Sequence, residues 1–378
     1  MELKKCQNAD KQKIIDVVNK SFAPDRKEGF TIKTSVPQIY DNKNFDFSGI
    51  HFVIEDNNKQ FVAVVGNLIS DICINDKIYK FSRIGSVGTI PSYRGKGCMK
   101  QLMSAVNEEN VEKKVVFSML CGKRNRYKNF GYERASLSCY YTFDKDQKRY
   151  LNNIHNIFIR EFNKGDLDFI YDIYKQNQKF VLRDKENFEV HLNNFKNKLY
   201  SIVENDTIVG YISVKGSTIK EINLSDNKYL ESSISFALNS DIIDFDINQY
   251  NNQTIQVCAS ILNRNQCIEF NKIAEYKSLV EEYSFKVYDL KQFIEMLFLV
   301  NKDNKELQDF EEIYKIDDKI YKFAIKKKQL YILQIKNEEY LRSFKNNGEF
   351  ISFVMGSELY NNSKIFPLYF DLNAIDNF

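Results

Sequence analysis

The chain has 378 residues, more than one ordinary domain holds, so two or three domains are expected. Its composition is 43% hydrophobic and 14% aromatic, which supplies enough apolar surface for folded cores and excludes extensive disorder. The 54 Lys and Arg residues nearly balance 51 Asp and Glu residues, and the net charge of +3 gives no indication of a nucleic-acid partner.

The first part of the chain predicts a mixed α/β domain. A helix is indicated by four apolar residues at helical spacing, which are Ile14, Val17, Val18 and Phe22. The strands predicted by alternation and turn residues lie at 51–55, 61–69, 77–89, 115–120 and 136–143. A glycine turn and a second helix separate the third strand from the fourth. We expect this domain to span residues 1–144.

Residues 145–284 repeat the strand and helix cycle coarsely and predict a second domain. Its predicted elements are a strand at 157–159, a helix from Leu167, and a hairpin of 200–203 and 208–214. No glycine-rich turn corresponds to residues 94–97 of the first domain. We therefore expect the second domain to lack a cofactor site.

Residues 285–378 predict a third domain. Its predicted elements are a helix at 287–300, strands at 319–325 and 329–335, and a late helix at 351–359. Taken together, the three regions predict an α+β fold, in which mixed α/β units follow one another along the chain.

Cysteine usage and the chain start indicate the compartment. The seven cysteines are scattered without a C-x-x-C pair, and the chain has three histidines, so neither a zinc site nor any other metal is expected. The first residues lack the apolar segment of a signal peptide, and the longest apolar run, near 293–300, is too short to cross a bilayer. These features predict a cytoplasmic protein with reduced cysteines and no membrane partner.

The turn after the third predicted strand carries the main candidate site. Gly95 and Gly97 let the backbone turn tightly, and the unpaired N–H groups of the following helix start point the same way. With the helix dipole and the cations Arg94 and Lys96, such a turn favours a diphosphate. A dinucleotide fingerprint would need glycine in place of Lys100, and no P-loop motif is present. The glycines alone are also compatible with an ordinary helix start.

The run from Val87 to Gly97, V-G-T-I-P-S-Y-R-G-K-G, resembles the pyrophosphate-binding motif of the GNAT N-acetyltransferase superfamily, V-x-x-x-P-x-x-R-G-x-G. The resemblance implies acetyl-CoA as co-substrate, with its pantetheine arm along the strand and its pyrophosphate at the turn. The implied cofactor-binding residues are Val87, Gly88, Thr89, Arg94, Gly95, Lys96, Gly97, Cys98, Met99 and Lys100. Met99 departs from the family, in which many members carry Gly or Ala there, but the backbone donors are unaffected.

The segment Y-K-N-F-G-Y from Tyr127 to Tyr132 resembles the Y-x-x-F-G-[FY] motif of the enhanced intracellular survival (Eis-like) branch of GNAT enzymes. The resemblance implies that Tyr127 protonates the departing CoA thiolate. A phenol with a pKa of about 10 can donate to a thiolate whose parent thiol has a pKa of about 8.5, because bond cleavage generates the base in place. In a chain with 23 tyrosines, packing is the alternative role for this one.

The end of the chain provides a third similarity. Eis-like proteins join two GNAT-like domains to a C-terminal domain resembling sterol carrier proteins, and their last residue is a Phe whose carboxylate acts as general base. This chain ends in Phe378, so the same role is implied. An α-carboxylate has a pKa of about 3.3–3.7, far below that of an amine, so a water relay or capture of the neutral amine would be needed.

The resemblance also implies an acceptor pocket lined by Phe22 and Asp25, for which a core aromatic and a helix-capping carboxylate are the alternative interpretations. The expected activity is direct acetyl transfer to an amine, with aminoglycosides, polyamines, lysine side chains and peptide amines all open as acceptors. A homo-oligomer, possibly a hexamer, is implied by resemblance. One competing interpretation is a non-catalytic module that binds acyl-CoA or lipid. The other is a tandem-GNAT aminoacyl or peptidoglycan-precursor transferase, which would need an RNA-facing basic surface that the near-neutral charge does not supply.

Overall fold

The computed structural model describes residues 1–26, 28–135, 138–243, 254–259, 264–281, 283–302, 309–336 and 338–355. Within these ranges the chain forms three β-sheets and eleven α-helices. The α+β fold predicted from the sequence is therefore confirmed. In the same ranges, no helix combines the length and the apolar character needed to cross a membrane.

The first sheet has eight strands and carries the candidate site. In chain order they are β1 (Glu2–Lys5), β2 (His51–Glu55), β3 (Phe61–Ile74), β4 (Lys77–Thr89), β5 (Phe117–Cys121), β6 (Glu133–Arg134), β9 (Lys179–Val181) and β15 (Tyr283–Val287). Their order in the sheet is β1-β2-β3-β4-β5-β15-β6, and β9 pairs with the end of β3. All neighbours are antiparallel except β4 and β5, which run parallel.

The second sheet has seven strands in the order β8-β10-β11-β12-β13-β7-β14. They are β7 (Ser138–Asp144), β8 (Ile157–Glu161), β10 (Lys198–Glu204), β11 (Thr207–Lys215), β12 (Thr218–Leu224), β13 (Thr254–Ala259) and β14 (Tyr276–Val280). The third sheet, in the order β18-β17-β16-β19, consists of β16 (Phe310–Ile316), β17 (Lys319–Lys326), β18 (Gln329–Ile335) and β19 (Arg342–Phe344).

The helices cover the sheets. They are α1 (Lys11–Phe22), α2 (Ile32–Ser35), α3 (Pro37–Tyr40), α4 (Cys98–Glu112), α5 (Arg124–Tyr127), α6 (Leu167–Lys175), α7 (Phe188–Leu192), α8 (Leu230–Asn239), α9 (Arg264–Ile273), α10 (Leu290–Asn301) and α11 (Asn347–Met355). On β2, Val53 belongs to the core beneath α1, whereas Phe52 and Ile54 belong to the core beneath α4. Because successive strand residues alternate between faces, α1 and α4 lie on opposite sides of the first sheet.

The first two sheets exchange a strand. The strand predicted at 136–143 as the end of the first domain is β7, and it lies in the second sheet between β13 and β14. Conversely, β15 spans the predicted boundary near residue 284 and inserts into the first sheet between β5 and β6. Each of these two strands therefore pairs across a predicted boundary, and the domain division itself stays a prediction. Alternation predicts a strand but carries no information on its distant partner.

The third sheet is attached to the first through an aromatic core. Phe117 of β5 stacks between Phe81 and Phe285 of its neighbouring strands, with ring centroids 5.5 and 5.7 Å away, and Phe293 of α10 contacts it edge-on at 5.3 Å. The same cluster continues to Tyr314 and to residues of α11. The late helix predicted at 351–359 begins earlier, and its predicted last residues lie outside the described part of the chain.

Candidate functional site

The parallel strands β4 and β5 part at the centre of the first sheet. Their pairing joins the segment from Phe81 to Arg83 with the segment from Phe117 to Met119. Beyond Arg83, β4 continues along β3 as far as Thr89. A strand pair that opens in this way presents backbone groups from one edge of β4 to a ligand that enters between the strands.

A β-bulge changes the direction of β4 just after it parts from β5. The pairing passes from Gly66 opposite Gly85 to Val64 opposite Gly88, so two residues of β4 face one of β3. One of them, Ser86, adopts a left-handed backbone with φ of 52°. Its hydroxyl lies 2.6 Å from that of the fully buried Tyr40, so the bulge is held by α3.

After the bulge, the two faces of β4 meet different helices. The side chain of Val87 packs into the core beneath α4. Gly88 faces α1, where an added Cβ would lie 2.6 Å from the Cβ of Ser21 and 3.5 Å from the ring of Phe22. Glycine is therefore required for this close approach of β4 to the last turn of α1.

The start of α4 presents free backbone donors. Gly97 precedes the helix with φ of 80°, and Gly95 has φ of 79°. Among the described residues, no side chain caps the first turn. The first N–H groups of an α-helix have no partner within the helix, and Cys98, Met99 and Lys100 carry these groups here. In the part of the chain that the structure describes, no atom lies within 4 Å of a Cβ built at Gly95 or Gly97, so a phosphate can approach these amides.

Two side chains of the turn have protein partners that tether it. Arg94 donates to the carbonyl oxygens of Thr89 (3.2 Å) and Ser21 (3.1 Å), and it lies 3.8 Å from the exposed carboxylate of Asp25. Lys96 lies over the ring of Tyr93, at 4.4 Å from the centroid. Both cations were predicted to attract the diphosphate, and in addition they fix the turn against its surroundings.

Tyr127 lies in the same apolar cluster as Val87 and Cys98, and 5% of its surface is exposed. Its ring fits against the backbone of Gly122, where an added Cβ would approach within 2.5 Å. The pKa of Tyr127 is raised by burial and lowered in part by Arg126, so the net shift is upward. The phenol is thus kept protonated at neutral pH, as a proton donor must be.

A buried polar network anchors α4 to the sheet. Asn110 accepts from the amide of Asn67 (3.0 Å) and donates to the hydroxyl of Tyr288 (3.0 Å), while Asn67 also donates to Glu109 (3.0 Å). Lys5 of β1 completes the set through an ion pair with Glu109. Satisfied buried networks favour one arrangement over others, so the direction of the α4 amides is fixed.

The predicted acceptor residues lie beside the β4 end. Phe22 is half-buried and contacts the ring of Phe30 at 6.2 Å, with the guanidinium of Arg26 over both rings. Asp25 is exposed and partly neutralised by Arg94, which reduces its attraction for a cationic acceptor.

The structure thus brings together the predicted residues of β4, the turn, α4, α5 and the end of α1. Phe378 lies outside the described residues. Sequence patterns missed Ser21, Tyr93 and Gly122, of which Gly122 carried a signal, namely a glycine directly after a buried strand. The structure places Cys98 in the core, whereas Cys121 at the end of β5 is exposed.

Comparison with known proteins agrees with this geometry. A sequence model of the acetyltransferase (GNAT) domain matches residues 2–135, which contain the opened strand pair, the turn and Tyr127. Among curated proteins, no sequence matches the chain.

Solved N-acetyltransferase structures share the fold over nearly the whole chain. The GCN5-related N-acetyltransferase of Anabaena variabilis superimposes with a TM-score of 0.65 at 14% identity, covering 94% of this chain and 89% of that chain. The corresponding protein of Kribbella flavida gives 0.63 at 14%, covering 95% and 89%. Eis1 from Mycobacterium abscessus gives 0.61 at 11%, covering 94% and 89%.

The fold of this chain is therefore that of GNAT N-acetyltransferases. The match of residues 2–135 to the acetyltransferase (GNAT) domain supports acyl transfer as the type of reaction.

Proposed function

We propose that the protein is an acetyl-CoA-dependent N-acetyltransferase that transfers acetyl directly to an amine. The observation that carries the proposal is the conjunction of three features around Val87. These are the parted strands, the uncapped start of α4, and the buried phenol of Tyr127 in one cluster. We further propose an Eis-like arrangement that acts as a cytoplasmic homo-oligomer.

Each part of the site has a task in binding. The amides of Cys98, Met99 and Lys100 would hold the pyrophosphate, which the helix dipole favours. The backbone of β4 from Val87 to Thr89 would hold the pantetheine arm where the strands part. Acetyl-CoA supplies the activated thioester, and the chain supplies orientation.

Transfer would then proceed in one displacement. The amine nitrogen bonds to the thioester carbonyl carbon, the carbon–sulfur bond breaks, and a backbone N–H near Val87 stabilises the negative charge on oxygen. Tyr127 donates its proton to the leaving sulfur. The proton lost by the amine goes to a base, for which we propose the terminal carboxylate of Phe378, a residue outside those the structure describes.

The test is release of free thiol from acetyl-CoA against a panel of amines, with Tyr127→Phe as the variant. We expect the intact protein to acetylate at least one amine, and the variant to lose about 100-fold in kcat because its general acid is gone. The affinity for acetyl-CoA, measured by titration calorimetry, should be unchanged because the cofactor is held by backbone groups.

The matched control is Tyr132→Phe. This neighbouring hydroxyl lies 2.7 Å from that of Ser118, so its loss should lower stability by about 1 kcal/mol and leave kcat within a few-fold. A form extended beyond Phe378 should bind acetyl-CoA without transferring acetyl. If every form binds acetyl-CoA and none releases thiol with any amine, a non-catalytic acyl-CoA-binding module replaces the proposed enzyme.

A further inference from the structure

Ser21 has a buried hydroxyl that lacks a partner. The residue ends the buried face of α1 and is 4% exposed. Among the residues that the structure describes, its Oγ makes no hydrogen bond. A buried hydroxyl without a partner costs about 1–3 kcal/mol, so such a group calls for an explanation.

Its surroundings fix Ser21 in place. The Ser21 carbonyl oxygen accepts from Arg94 of the cofactor turn at 3.1 Å. The Ser21 side chain packs directly on Gly88, since a Cβ added there would lie 3.0 Å from Oγ. The hydroxyl is thus set at the end of β4 by two contacts that do not use its own hydrogen-bonding capacity.

This position lies against the end of β4 that forms part of the proposed site. Val87 faces α4, whose first amides would hold the pyrophosphate, and the next residue, Gly88, faces α1. Ser21 and Phe22 therefore lie against the stretch of β4 that we propose holds the pantetheine arm, and Phe22 is one of the two residues implied to line the acceptor pocket.

We propose that the hydroxyl of Ser21 accepts a hydrogen bond from the attacking amine, a role that rests on the proposed acetyl transfer. As the carbon–nitrogen bond forms, the nitrogen gains positive charge, and hydrogen bonds to charged groups are stronger than neutral ones. Ser21 takes no proton; it orients the nitrogen while a separate base receives the proton.

The geometry also selects the class of acceptor. A primary amine has two N–H groups, so one can donate to Ser21 while the other loses its proton to the base. A secondary amine has one N–H and cannot satisfy both groups at once. The site therefore favours unhindered primary amines, and Ser21 is a determinant of that preference.

The experiment compares the full-length wild type with Ser21→Ala on a primary amine and on its N-methyl derivative. We expect kcat/KM for the primary amine to fall about 10- to 100-fold, from the usual strength of a hydrogen bond to a charged group. The value for the N-methyl derivative should change less than threefold, and the affinity for acetyl-CoA should stay the same. The midpoint of urea unfolding should not fall, because an unpaired buried hydroxyl is removed.

Ser284→Ala is the matched control. Ser284 is also buried with a hydroxyl that has no partner among the described residues, but it lies on β15, which β5 separates from β4. The same chemical change there should leave both kcat/KM values and the amine preference unaltered.

The outcomes are distinct. A wild type that acetylates amines while Ser21→Ala retains both the rate and the primary-amine preference overturns the role of Ser21 and leaves the proposed function standing. A wild type that fails to acetylate any amine overturns the proposed function and the Ser21 role with it. An equal loss in Ser21→Ala and Ser284→Ala also counts against the proposal, since it indicates a general effect of the substitution.

Discussion

The first and second sheets share the same strand topology over their first five strands. The fourth strand of the first sheet is followed by a helix start that can hold an anion, whereas the corresponding helix start of the second sheet cannot. In each sheet, four neighbouring strands run antiparallel, and the fourth of them pairs in parallel with a fifth. A helix connects the fourth strand to the fifth along the chain. The pair is β4 and β5 around α4 in the first sheet, and β12 and β13 around α8 in the second. The sixth strand of the second sheet, β7, comes from the first predicted domain, and the sixth strand of the first sheet, β15, spans the boundary predicted near residue 284.

The difference lies in how each helix begins. Before α4, Gly97 turns with a left-handed backbone and leaves the first amides uncapped. Before α8, the carboxylate of Asp226 accepts from the N–H of Lys228 in the short 3-10 turn that leads into the helix. An amide satisfied by the protein's own anion is not available to a phosphate. The comparison teaches that this topology alone does not make a cofactor site.

The second sheet is joined to the first by a buried ion pair. Arg183, next to the edge strand β9 of the first sheet, donates to both carboxylate oxygens of Glu221 on β12 of the second sheet, at 3.0 and 2.8 Å. Glu221 also accepts from Tyr211 and Asn223. Both ions are almost fully buried, so the pair connects the two sheets at a point away from the proposed chemistry.

The largest expected effect comes from breaking this pair. Glu221→Ala leaves the guanidinium of Arg183 buried without its carboxylate, which should lower the free energy of unfolding by about 3–5 kcal/mol. Urea denaturation followed by circular dichroism measures the loss. The affinity of the folded protein for acetyl-CoA should remain unchanged, because the α4 amides are untouched.

Glu311→Ala is the control for that change. Its partner Lys322 lies on the third sheet, and both side chains are partly exposed, so the loss should stay below about 1 kcal/mol. A similar loss of stability in both variants would contradict a special stabilising role of the Arg183–Glu221 pair. A weakened acetyl-CoA affinity in folded Glu221→Ala would contradict its separation from the proposed cofactor site.

The next effect comes from making the first helix start resemble the second. Gly97→Asp places a carboxylate beside the uncapped amides, where it competes with the pyrophosphate for the same donors. We expect acetyl-CoA to bind about 100-fold more weakly, equivalent to losing a pair of charge-assisted hydrogen bonds. Titration calorimetry gives the dissociation constant directly.

Part of any change at Gly97 comes from its left-handed backbone, which disfavours residues with a Cβ. Gly216→Asp controls for this strain, because Gly216 has φ of 57° in the turn between β11 and β12, far along the chain from the site. Both variants should lose a little stability, and the Gly97 variant alone should lose affinity. Normal acetyl-CoA binding by Gly97→Asp would remove the α4 start from the proposed site.

Local features were readable from the sequence because their causes are local. Alternation gave β2 and β4 with their observed bounds, and the glycine turn marked the start of α4. Tyr127 was predicted as the proton donor through its motif, and that role stays a prediction. By contrast, the pairings of β7 and β15 and the ion pair between Arg183 and Glu221 join residues far apart along the chain, and periodicity does not encode such partners. The unpartnered hydroxyl of Ser21 was missed for a related reason, because its burial depends on the distant strand β4.

The smallest expected effect comes from opening the second helix start. Asp226→Ala removes the side chain that caps the turn before α8, which should lower stability by about 1 kcal/mol, the usual contribution of such a cap. The variant should gain no measurable affinity for acetyl-CoA, because no glycine in this turn lets the backbone approach a pyrophosphate. Titration calorimetry on the double variant Gly97→Asp/Asp226→Ala, compared with Gly97→Asp alone, measures any acetyl-CoA binding that the start of α8 has gained. Binding by that double variant that is tighter than that of Gly97→Asp alone would mean that capping alone separates the two helix starts, and that the glycines of the first are dispensable.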